Sequence, residues 1–419
     1  MRGKESKRSS ATLHAKATTH CAKKNLRDDA MHSCLESASS LRAAKVCKGW
    51  PMQITLARLQ QYRSYERLIF QPAQGLCVLL GENAAGKTNV LEALFLCALG
   101  RSHRTRHDAE LIRYGETTAA VGLELQKRTG THRIECRLLK EGRRELKVDD
   151  MPLTRSGELL GTLHVVMFSP EDLRLIKQGP VERRRFLDME LSQLQPAYYY
   201  RLQQYNLALK QRNALLKNHA VTPSLLAPWD EQLAILGAGL IHARAAFMEK
   251  LCVLAGDLHK ELSGGERLHV RYEPAFEPGS VQQTAACMQQ GLAASFDRDL
   301  RTGATQQGPH RDDILLELDG VDVRAYGSQG QQRTAALALK LSELALMKEL
   351  GGEPPVLLLD DVLSELDGAR QRMLVWAMQG SQTFLTCTQL AGLATAGITD
   401  MTVYRVADGA VTNTDMGNT

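Results

Sequence analysis

The stretch "GLCVLLGENAAGKTNVLEALFLCALG" (residues 75–100) joins a short apolar run to a run of helix-forming residues through a loop that contains glycine. Residues 81–88 fit the pattern GxxxxGK[ST], which marks a P-loop when a strand precedes it and a helix follows it. Glycine lets the backbone fold so closely that successive N–H groups point at a phosphate, and the helix N-terminus adds partial positive charge. The stretch therefore predicts an α/β fold that binds the phosphates of a nucleotide.

Two residues of this loop have specific expected roles. We predict that Lys87 reaches the β- and γ-phosphates and that the Thr88 hydroxyl is a ligand of Mg²⁺. ATP and Mg²⁺ are therefore the predicted cofactors. The residues of this loop that we predict to contact the nucleotide are Gly81, Glu82, Asn83, Ala84, Ala85, Gly86, Lys87, Thr88 and Asn89.

A second stretch, "PPVLLLDDVLSELD" (residues 354–367), supplies carboxylates. Residues 356–359 form a fully apolar run that is typical of a central parallel strand, and Asp360 stands at its carboxyl end. We predict that Asp360 holds the metal and that Asp361 polarises the attacking water; with Lys87 they are the predicted catalytic residues. Paired Asp residues also begin surface turns, an alternative that the P-loop disfavours.

Two segments resemble the LSGGQ signature with which ABC-type ATPases contact a nucleotide held by a partner subunit. Such a signature presents Ser and Gly at the N-terminus of a helix. In "KELSGGERL" (residues 260–268) the residues that follow alternate in polarity and then include prolines, which predicts a turn and a strand. In "YGSQGQQRTAALALKLSELALMKEL" (residues 326–350) a long helix-forming run follows. We therefore assign the signature to Ser328, Gln329, Gly330 and Gln331.

About 270 residues separate the P-loop from the carboxylates, which is too many for a plain P-loop domain and indicates an insertion. Residues 181–217 and 229–262 carry apolar residues at helical spacing, and the turn-rich "NHAVTPSLLAP" joins them. They predict an antiparallel helical arm. A helix pair of the core is an alternative that does not exclude the arm.

The charge distribution limits how the chain meets nucleic acid. The net charge is +5, but residues 1–51 hold 11 Lys/Arg and 4 Asp/Glu, so the remaining residues sum to −2. DNA binding must therefore depend on local basic patches. The predicted DNA contacts are Arg101, Arg104 and Arg106 in "GRSHRTRH" (residues 100–107), and residues 183–185 form a second basic run. A solvated charged loop is the alternative for both.

Residues 1–51 are rich in Ser, Ala, Thr and Lys and lack periodicity, which predicts a disordered leader or a biological start at Met52. Acidic residues at 28, 29 and 36 disfavour a transit peptide.

Nine cysteines without a CxxC pair suit a reducing compartment. No apolar run approaches the length of a membrane span, so we expect a cytoplasmic protein without a membrane segment.

These motifs, together with "QYRSYE" (residues 61–66), "KQGPVERRRFLD" (residues 177–188) and "GPHRDD" (residues 308–313), resemble the RecF family of bacterial recombination mediators. The resemblance runs from Met52 to near the C-terminus. It implies an α/β fold, an ABC-type P-loop ATPase head with a mixed-sheet lobe and an inserted helical-arm lobe. The implied parts are residues 52–180 for the N-terminal part of lobe I with the P-loop, 181–300 for lobe II with the arm, and 301–419 for the C-terminal ATPase part with the signature and the carboxylates.

The resemblance also implies a function. It implies a homodimer that forms on ATP, binds DNA at single-strand gaps or double-strand/single-strand junctions, hydrolyses ATP slowly under DNA stimulation, and works with RecO and RecR to load RecA, with SOS induction. The alternatives are a nucleotide-switched DNA clamp without required hydrolysis, or another ABC/SMC-type ATPase. Thr386 and Thr388 stand where many ABC enzymes have His, as is usual for RecF-like chains. Residues 165–173 lack the Gln expected near the lobe junction.

Overall fold

The strands follow the alternating and apolar runs of the sequence. The computed structural model describes residues 52–218 and 221–414, so the predicted leader, residues 1–51, lies outside the described residues. The strands are β1 (Gln53–Tyr62), β2 (Tyr65–Phe70), β3 (Leu76–Leu80), β4 (Thr118–Lys127), β5 (Gly130–Leu139), β6 (Glu145–Val148), β7 (Met151–Pro152), β8 (Val165–Phe168), β9 (Leu268–Glu273), β10 (Asp313–Leu318), β11 (Val321–Asp322), β12 (Val356–Asp360), β13 (Thr383–Cys387), β14 (Thr402–Ala407) and β15 (Ala410–Asn413).

The helices include the two that the motifs predict, one after the P-loop and one after the signature. They are α1 (Lys87–Leu99), α2 (Arg174–Lys177), α3 (Pro180–Leu194), α4 (Pro196–Leu216), α5 (Pro223–Ser263), α6 (Val281–Ala294), α7 (Phe296–Thr302), α8 (Val323–Tyr326), α9 (Gln329–Leu350), α10 (Gly368–Met378) and α11 (Ala391–Thr395). Among the helices of the described residues, none combines the length and the apolar character that crossing a bilayer requires.

The central sheet has the strand order β15-β14-β3-β13-β12-β8, and its strands are parallel apart from the edge strand β15. Successive residues of β12 belong to two different hydrophobic clusters, so both faces of the strand are buried. This confirms the predicted central parallel strand. Asp360 pairs with Thr386 and Leu80 pairs with Cys387, so three adjacent strands end together at the edge that carries the P-loop and the carboxylates.

A second sheet is antiparallel, with the order β2-β1-β4-β5-β6-β7. In β4 buried residues alternate with partly exposed ones, and the buried ones share a hydrophobic cluster with α1 and the central sheet. The helix α1 thus lies between two sheets. Because it is buried on both sides, it is apolar around most of its surface. A third, three-stranded sheet has the order β11-β10-β9.

The predicted pair of helices forms and shares a hydrophobic cluster with the central sheet, but its helices end at positions other than those predicted. The first predicted stretch divides into α3 and α4, because Pro196 has no N–H with which to continue the hydrogen bonds of α3. The second helix begins at Pro223, so most of the predicted link is helical and Pro228 lies inside α5. The contacts of Arg212 with Asp230 and of Tyr198 with Arg244 occur in reverse chain order, so α4 and α5 are antiparallel, as predicted.

Buried ion pairs hold α4 and α5 together and connect them to neighbouring elements. Arg212, which is fully buried, donates to Asp230 and to Asp299 at 2.6 Å each. Arg244 donates to the buried Asp312 of the "GPHRDD" segment at 2.7 Å. Removing one partner of such a pair would leave an uncompensated buried charge, which typically costs about 3–5 kcal/mol. These residues therefore stabilise the packing of the arm.

The signature-like segment that ends α5 is a turn between a helix and a strand, as predicted. The helix ends at Ser263, and Gly264 and Gly265 follow with φ angles of 76° and 133°. Both angles lie in the left-handed region, which favours glycine. The strand β9 begins at Leu268, so no helix starts after these glycines.

Candidate nucleotide site

The P-loop connects β3 to α1 through a backbone that requires small residues. Ala84 and Gly86 have φ angles of 65° and 106°. A Cβ atom added at Gly81 would lie 2.4 Å from the Val406 carbonyl oxygen, so glycine is needed there. The Lys87 ammonium donates hydrogen bonds to the carbonyl oxygens of Gly81 at 2.8 Å and Glu82 at 2.7 Å, and the side chain is only 8% exposed. Lys87 is therefore held across the loop.

The start of α1 fits a phosphate. Gly86 occupies the N-cap and supplies no side-chain hydrogen bond to the first turn. The first N–H groups of a helix have no partner within the helix, and here no side chain of the cap replaces one. A helix N-terminus in this condition is suited to an anion. The residues present therefore fit a nucleotide phosphate.

The "QYRSYE" segment supports the P-loop from the turn between β1 and β2. The Tyr65 hydroxyl donates to the Gly86 carbonyl at 3.1 Å, and Asn89 donates to the Ser64 hydroxyl at 3.0 Å. The Arg63 guanidinium makes two hydrogen bonds of 2.8 Å to the fully buried Glu92 of α1. Burial alone would raise the pKa of the Glu92 carboxyl, but hydrogen bonds from Arg63 and a neighbouring serine outweigh burial and lower it. Glu92 is therefore a charged anchor for the turn.

Asp360 lies beside the P-loop at the carboxyl end of β12. The Thr88 hydroxyl donates to Asp360 Oδ1 at 2.9 Å, and the Thr386 hydroxyl donates to the same atom at 2.8 Å. A threonine hydroxyl and a carboxylate are oxygen ligands of the kind that Mg²⁺ prefers. Thr88 and Asp360 therefore fit the metal that the sequence predicts.

Asp361 occupies a left-handed backbone conformation, with φ at 52°. Its N–H donates to Thr386 Oγ1 at 2.9 Å, and the Ser364 hydroxyl donates to its carbonyl oxygen at 2.8 Å and to its carboxylate at 3.1 Å. A non-glycine residue with positive φ is uncommon and costs free energy, so neighbouring contacts must hold it. Thr386 and Ser364 supply those contacts.

Residues of the P-loop and the two carboxylates line one cavity of 360 Å³. Its lining comprises Asn83, Ala84, Gly86, Lys87, Thr88, Asn89, Arg104, Asp360, Asp361, Thr386 and Thr388. Sequence reasoning missed a role for Thr386, which contacts both Asp360 and Asp361. The strand pairing of β12 with β13 brings Thr386 to that position, and the signals in the sequence were its place at the end of an apolar run and its position where many ABC enzymes have His.

The assigned signature begins a different helix and is exposed. Ser328 is the N-cap of α9, its hydroxyl accepts from the Gln331 N–H at 3.2 Å, and its own N–H donates to Gln331 Oε1 at 2.9 Å. Ser328, Gln329 and Gly330 are exposed, and Gln331 is half-buried. Within the described part of the chain, the lining of the nucleotide cavity contains no residue from 328–331.

The three arginines predicted to contact DNA lie in different surroundings. Burial lowers the pKa of Arg101, and the neighbouring Arg185 guanidinium adds to that effect. Arg104 is exposed but lines the nucleotide cavity, with its guanidinium 3.4 Å from the Asn89 side-chain oxygen. Arg106 is exposed. Of the three, Arg106 alone has the surroundings of a free surface cation.

The second basic run serves packing in large part. Arg183 is 5% exposed and makes two hydrogen bonds to the Asp313 carboxylate, at 2.6 and 2.8 Å. Arg184 donates to the Asp312 carbonyl at 2.6 Å. Because these partners belong to the "GPHRDD" segment, the two motifs hold each other. Neither arginine is a free surface charge.

A parallel sheet with this P-loop, adjacent carboxylates and a separate signature helix defines an ABC-type ATPase head. The family described as RecF/RecN/SMC N terminal domain matches residues 53–410. The "DNA replication and repair protein RecF" of Alkaliphilus oremlandii is 45% identical over 358 residues, which cover 84% of this chain and 98% of that protein. The protein of the same name from Lachnoclostridium phytofermentans is 44% identical over 364 residues, covering 86% and 99%. The chain belongs to the RecF family.

Solved structures agree with this assignment. A structure of the recombination mediator protein RecF with ATP, from the RecFOR pathway, superposes with a TM-score of 0.81 at 35% identity and covers 87% of this chain and 99% of that chain. An Smc head domain from Pyrococcus furiosus superposes with a TM-score of 0.53 at 16% identity, over 86% of this chain and 96% of that chain, which shows a shared fold alone. The resemblance found in the motifs and the fold class it implied are therefore confirmed.

Proposed function

We propose that this chain binds ATP, dimerises when ATP is bound, and acts on DNA in replication and recombinational repair. The observation that carries the proposal is the separation of two half-sites: a cavity lined by the P-loop and the carboxylates, and an exposed signature at the start of α9 that is not part of that cavity. A second copy of the chain can bring its signature to the cavity. The ATP-bound RecF structure and the names of the relatives support ATP and DNA repair as the context.

Each residue of the site has a role in this proposal. The amides at the start of α1 and Lys87 would hold the phosphates, and Thr88 and Asp360 would hold Mg²⁺. The metal, when bound, neutralises charge on the phosphates. Asp361 would polarise the attacking water. The residues that would close the site from the second copy are Ser328, Gln329, Gly330 and Gln331.

The finer function follows the resemblance to RecF. We infer binding at single-strand gaps or double-strand/single-strand junctions, slow Mg²⁺-dependent hydrolysis stimulated by DNA, and work with RecO and RecR to load RecA, linked to SOS induction. This activity belongs in the cytoplasm, where bacterial DNA lies. Arg106 is the best supported DNA contact of the three arginines, because it is exposed and outside the nucleotide cavity. The boundaries at 180/181 and 300/301 stay predictions, although β9 and β10 pair across the second.

Analytical ultracentrifugation tests the proposal. The chain is sedimented without nucleotide, with ATP and with ADP, each in the presence and absence of gapped duplex DNA. We expect a monomer without nucleotide, a dimer with ATP, and a further shift with ATP and DNA. Lys87→Ala should stay monomeric under all conditions. A chain that binds ATP but stays monomeric with and without DNA would contradict the proposal.

A further inference from the structure

The turn that follows α5 touches the signature. The side-chain amide of Gln331 donates from Nε2 to Glu266 Oε1 at 2.8 Å, and its Oε1 accepts the N–H of Ser328 at 2.9 Å. The same Gln331 gives its backbone N–H to the Ser328 hydroxyl. Glu266 is therefore connected through one side chain to the residue that begins the signature helix.

Glu266 comes from a turn that is fixed on both sides. The Ser263 hydroxyl donates to the Glu266 carbonyl at 3.4 Å, and the Asp319 N–H donates to the Arg267 carbonyl at 3.0 Å. The first contact ties the turn to the end of α5, and the second ties it to the turn between β10 and β11. The carboxylate of Glu266 therefore reaches Gln331 from a backbone held at two points.

The chemistry of the contact determines which way the Gln331 amide points. A glutamine side chain has one end that accepts hydrogen bonds and one end that donates them, and the two ends can exchange by rotation. A carboxylate only accepts, so Glu266 requires the NH₂ end of Gln331 to face it. The oxygen end must then face the Ser328 N–H. Without Glu266, the amide loses one of the two contacts that select this orientation, and the Ser328 N–H alone holds it.

We infer that Glu266 is a positioning residue for the signature, and that through it the 41-residue helix α5 is linked to closure of the partner's nucleotide site. The inference depends on the proposed role of Ser328 in the ATP-bound dimer. It gives the "LSGGE" letters a function other than contact with nucleotide. A displacement of the arm moves the turn and, with it, the orientation of the signature.

Three variants and a matched control test this role. The quantity measured for each is the dissociation constant of the ATP-bound dimer. Glu266→Ala removes the acceptor and should weaken the dimer about tenfold, since hydrogen bonds to charged groups are among the stronger ones. Glu266→Gln keeps an acceptor oxygen and should stay within about threefold of the native chain. Glu261→Ala, an exposed carboxylate in the last turn of the same helix, should have no effect. Ser328→Arg should abolish the dimer.

Binding of ATP to the monomer and the unfolding temperature show that each variant is folded. Glu266→Ala could dimerise with the dissociation constant of the native chain while Ser328→Arg fails to dimerise. That result would overturn the positioning role and leave the proposed function intact. An equal loss in Glu266→Gln and Glu266→Ala would overturn it as well, because an acceptor oxygen would then not suffice. Native dimerisation by Ser328→Arg would instead overturn the proposed function.

Discussion

Asp360 has its orientation fixed by two hydroxyl groups that donate to the same oxygen. Thr88 comes from the P-loop helix, and Thr386 comes from the end of the neighbouring strand β13. Contacts from two elements hold the carboxylate more firmly than contacts from one loop would. The site is therefore preorganised by the sheet.

Asp361→Asn should trap the ATP-bound dimer. The amide has the same size and can still accept the Ser364 hydrogen bond, but it no longer acts as a base toward water. Loss of a general base typically slows a reaction about 100-fold or more. Phosphate release should fall by that factor while the dimer accumulates in sedimentation. The control is Asp408→Asn, an aspartate that also has positive φ but lies in the turn between β14 and β15.

Native phosphate release by Asp361→Asn would show that another group polarises the water. Slow hydrolysis combined with normal release from DNA would favour a nucleotide-switched clamp, for which hydrolysis is not required. The Asp361 variant therefore separates the two functions that the sequence left open.

His310 predicts a pH dependence of stability. Burial lowers its pKa to about 4, although the ring also contacts the Thr305 carbonyl at 3.0 Å. The unfolded chain has the ordinary value of about 6.5, so below that pH it binds a proton that the folded chain does not. The contribution of neutral His310 to the free energy of unfolding is therefore fully present above pH 6.5 and is lost as the pH falls toward 4. Between pH 7 and pH 5 the loss is roughly 2 kcal/mol.

Urea unfolding of the native chain and of His310→Gln at pH 7 and pH 5 measures this contribution. Burial also lowers the pKa of His103 and of His164 to about 4. Because the native chain and the variant both keep these histidines, the comparison isolates His310. We expect a smaller loss of stability at pH 5 in the variant, and an equal loss in both chains would refute the assignment.

Sequence reasoning located residues whose position depends on local order along the chain. Lys87 and Thr88 are placed by the loop and helix that directly surround them, and Asp360 by the strand that ends there. Arg183 was a hypothetical DNA contact because its partner, Asp313, is 130 residues away in the sequence. Arg104 is likewise brought to the nucleotide cavity by the folding of its loop. Such distant pairings are set by tertiary packing and leave no local pattern.

At the scale of elements, α9 joins the signature to the core. Beyond its exposed first turn the helix is buried along most of its length, from Gln332 to Met347, in the same cluster as α5 and the central sheet. A contact made at its N-terminus is therefore connected to a rigid part of the molecule. This fits a helix whose end must be held in place for a partner.

Ser328→Arg should block ATP-driven dimerisation and leave ATP binding by the monomer unchanged, because in the proposed dimer each P-loop binds the nucleotide and the signature of the other copy closes the site. Ser280→Arg is a matched control. Ser280 caps α6 with the same reciprocal pair of hydrogen bonds, here to Gln283. Both changes remove a cap, which typically costs about 0.5–2 kcal/mol. In sedimentation with ATP, Ser328→Arg should therefore stay monomeric while Ser280→Arg forms the dimer. Similar behaviour of the two variants would argue against our signature assignment.

The boundaries of elements were predicted where the sequence contains a strong terminating signal. The end of α5 has two glycines, and the P-loop fixes the start of α1. The arm was harder to predict, since Pro196 and Pro223 each begin a helix although proline commonly indicates a break. Proline is well suited to the first turn of a helix, where its missing N–H costs nothing. Residues 223–228 of the predicted link are therefore part of α5.

At the scale of the whole molecule, we expect the two half-sites of the proposed dimer to couple ATP to DNA. If two copies close around two ATP molecules, the exposed basic residues of both copies, Arg106 among them, would meet the same DNA. Each contact then gains from the other, so the affinity for DNA should rise when ATP is bound. Linkage requires the reverse as well: DNA must favour the ATP-bound dimer. The sequence predicted the components of this arrangement, but only folding shows that the signature lies outside the cavity.

Fluorescence anisotropy of labelled gapped DNA at fixed salt measures this coupling with ATP, with ADP and without nucleotide. Coupling free energies between sites are typically about 1–3 kcal/mol, so we expect roughly tenfold or greater tightening with ATP. Lys87→Ala should lose the ATP-dependent part and keep a weak basal affinity, because the phosphate contact is removed while the basic surface remains. Salt is held constant because contacts with DNA phosphates weaken steeply as salt rises. Equal affinities in all three states, in a chain shown to bind ATP, would refute the coupled mechanism.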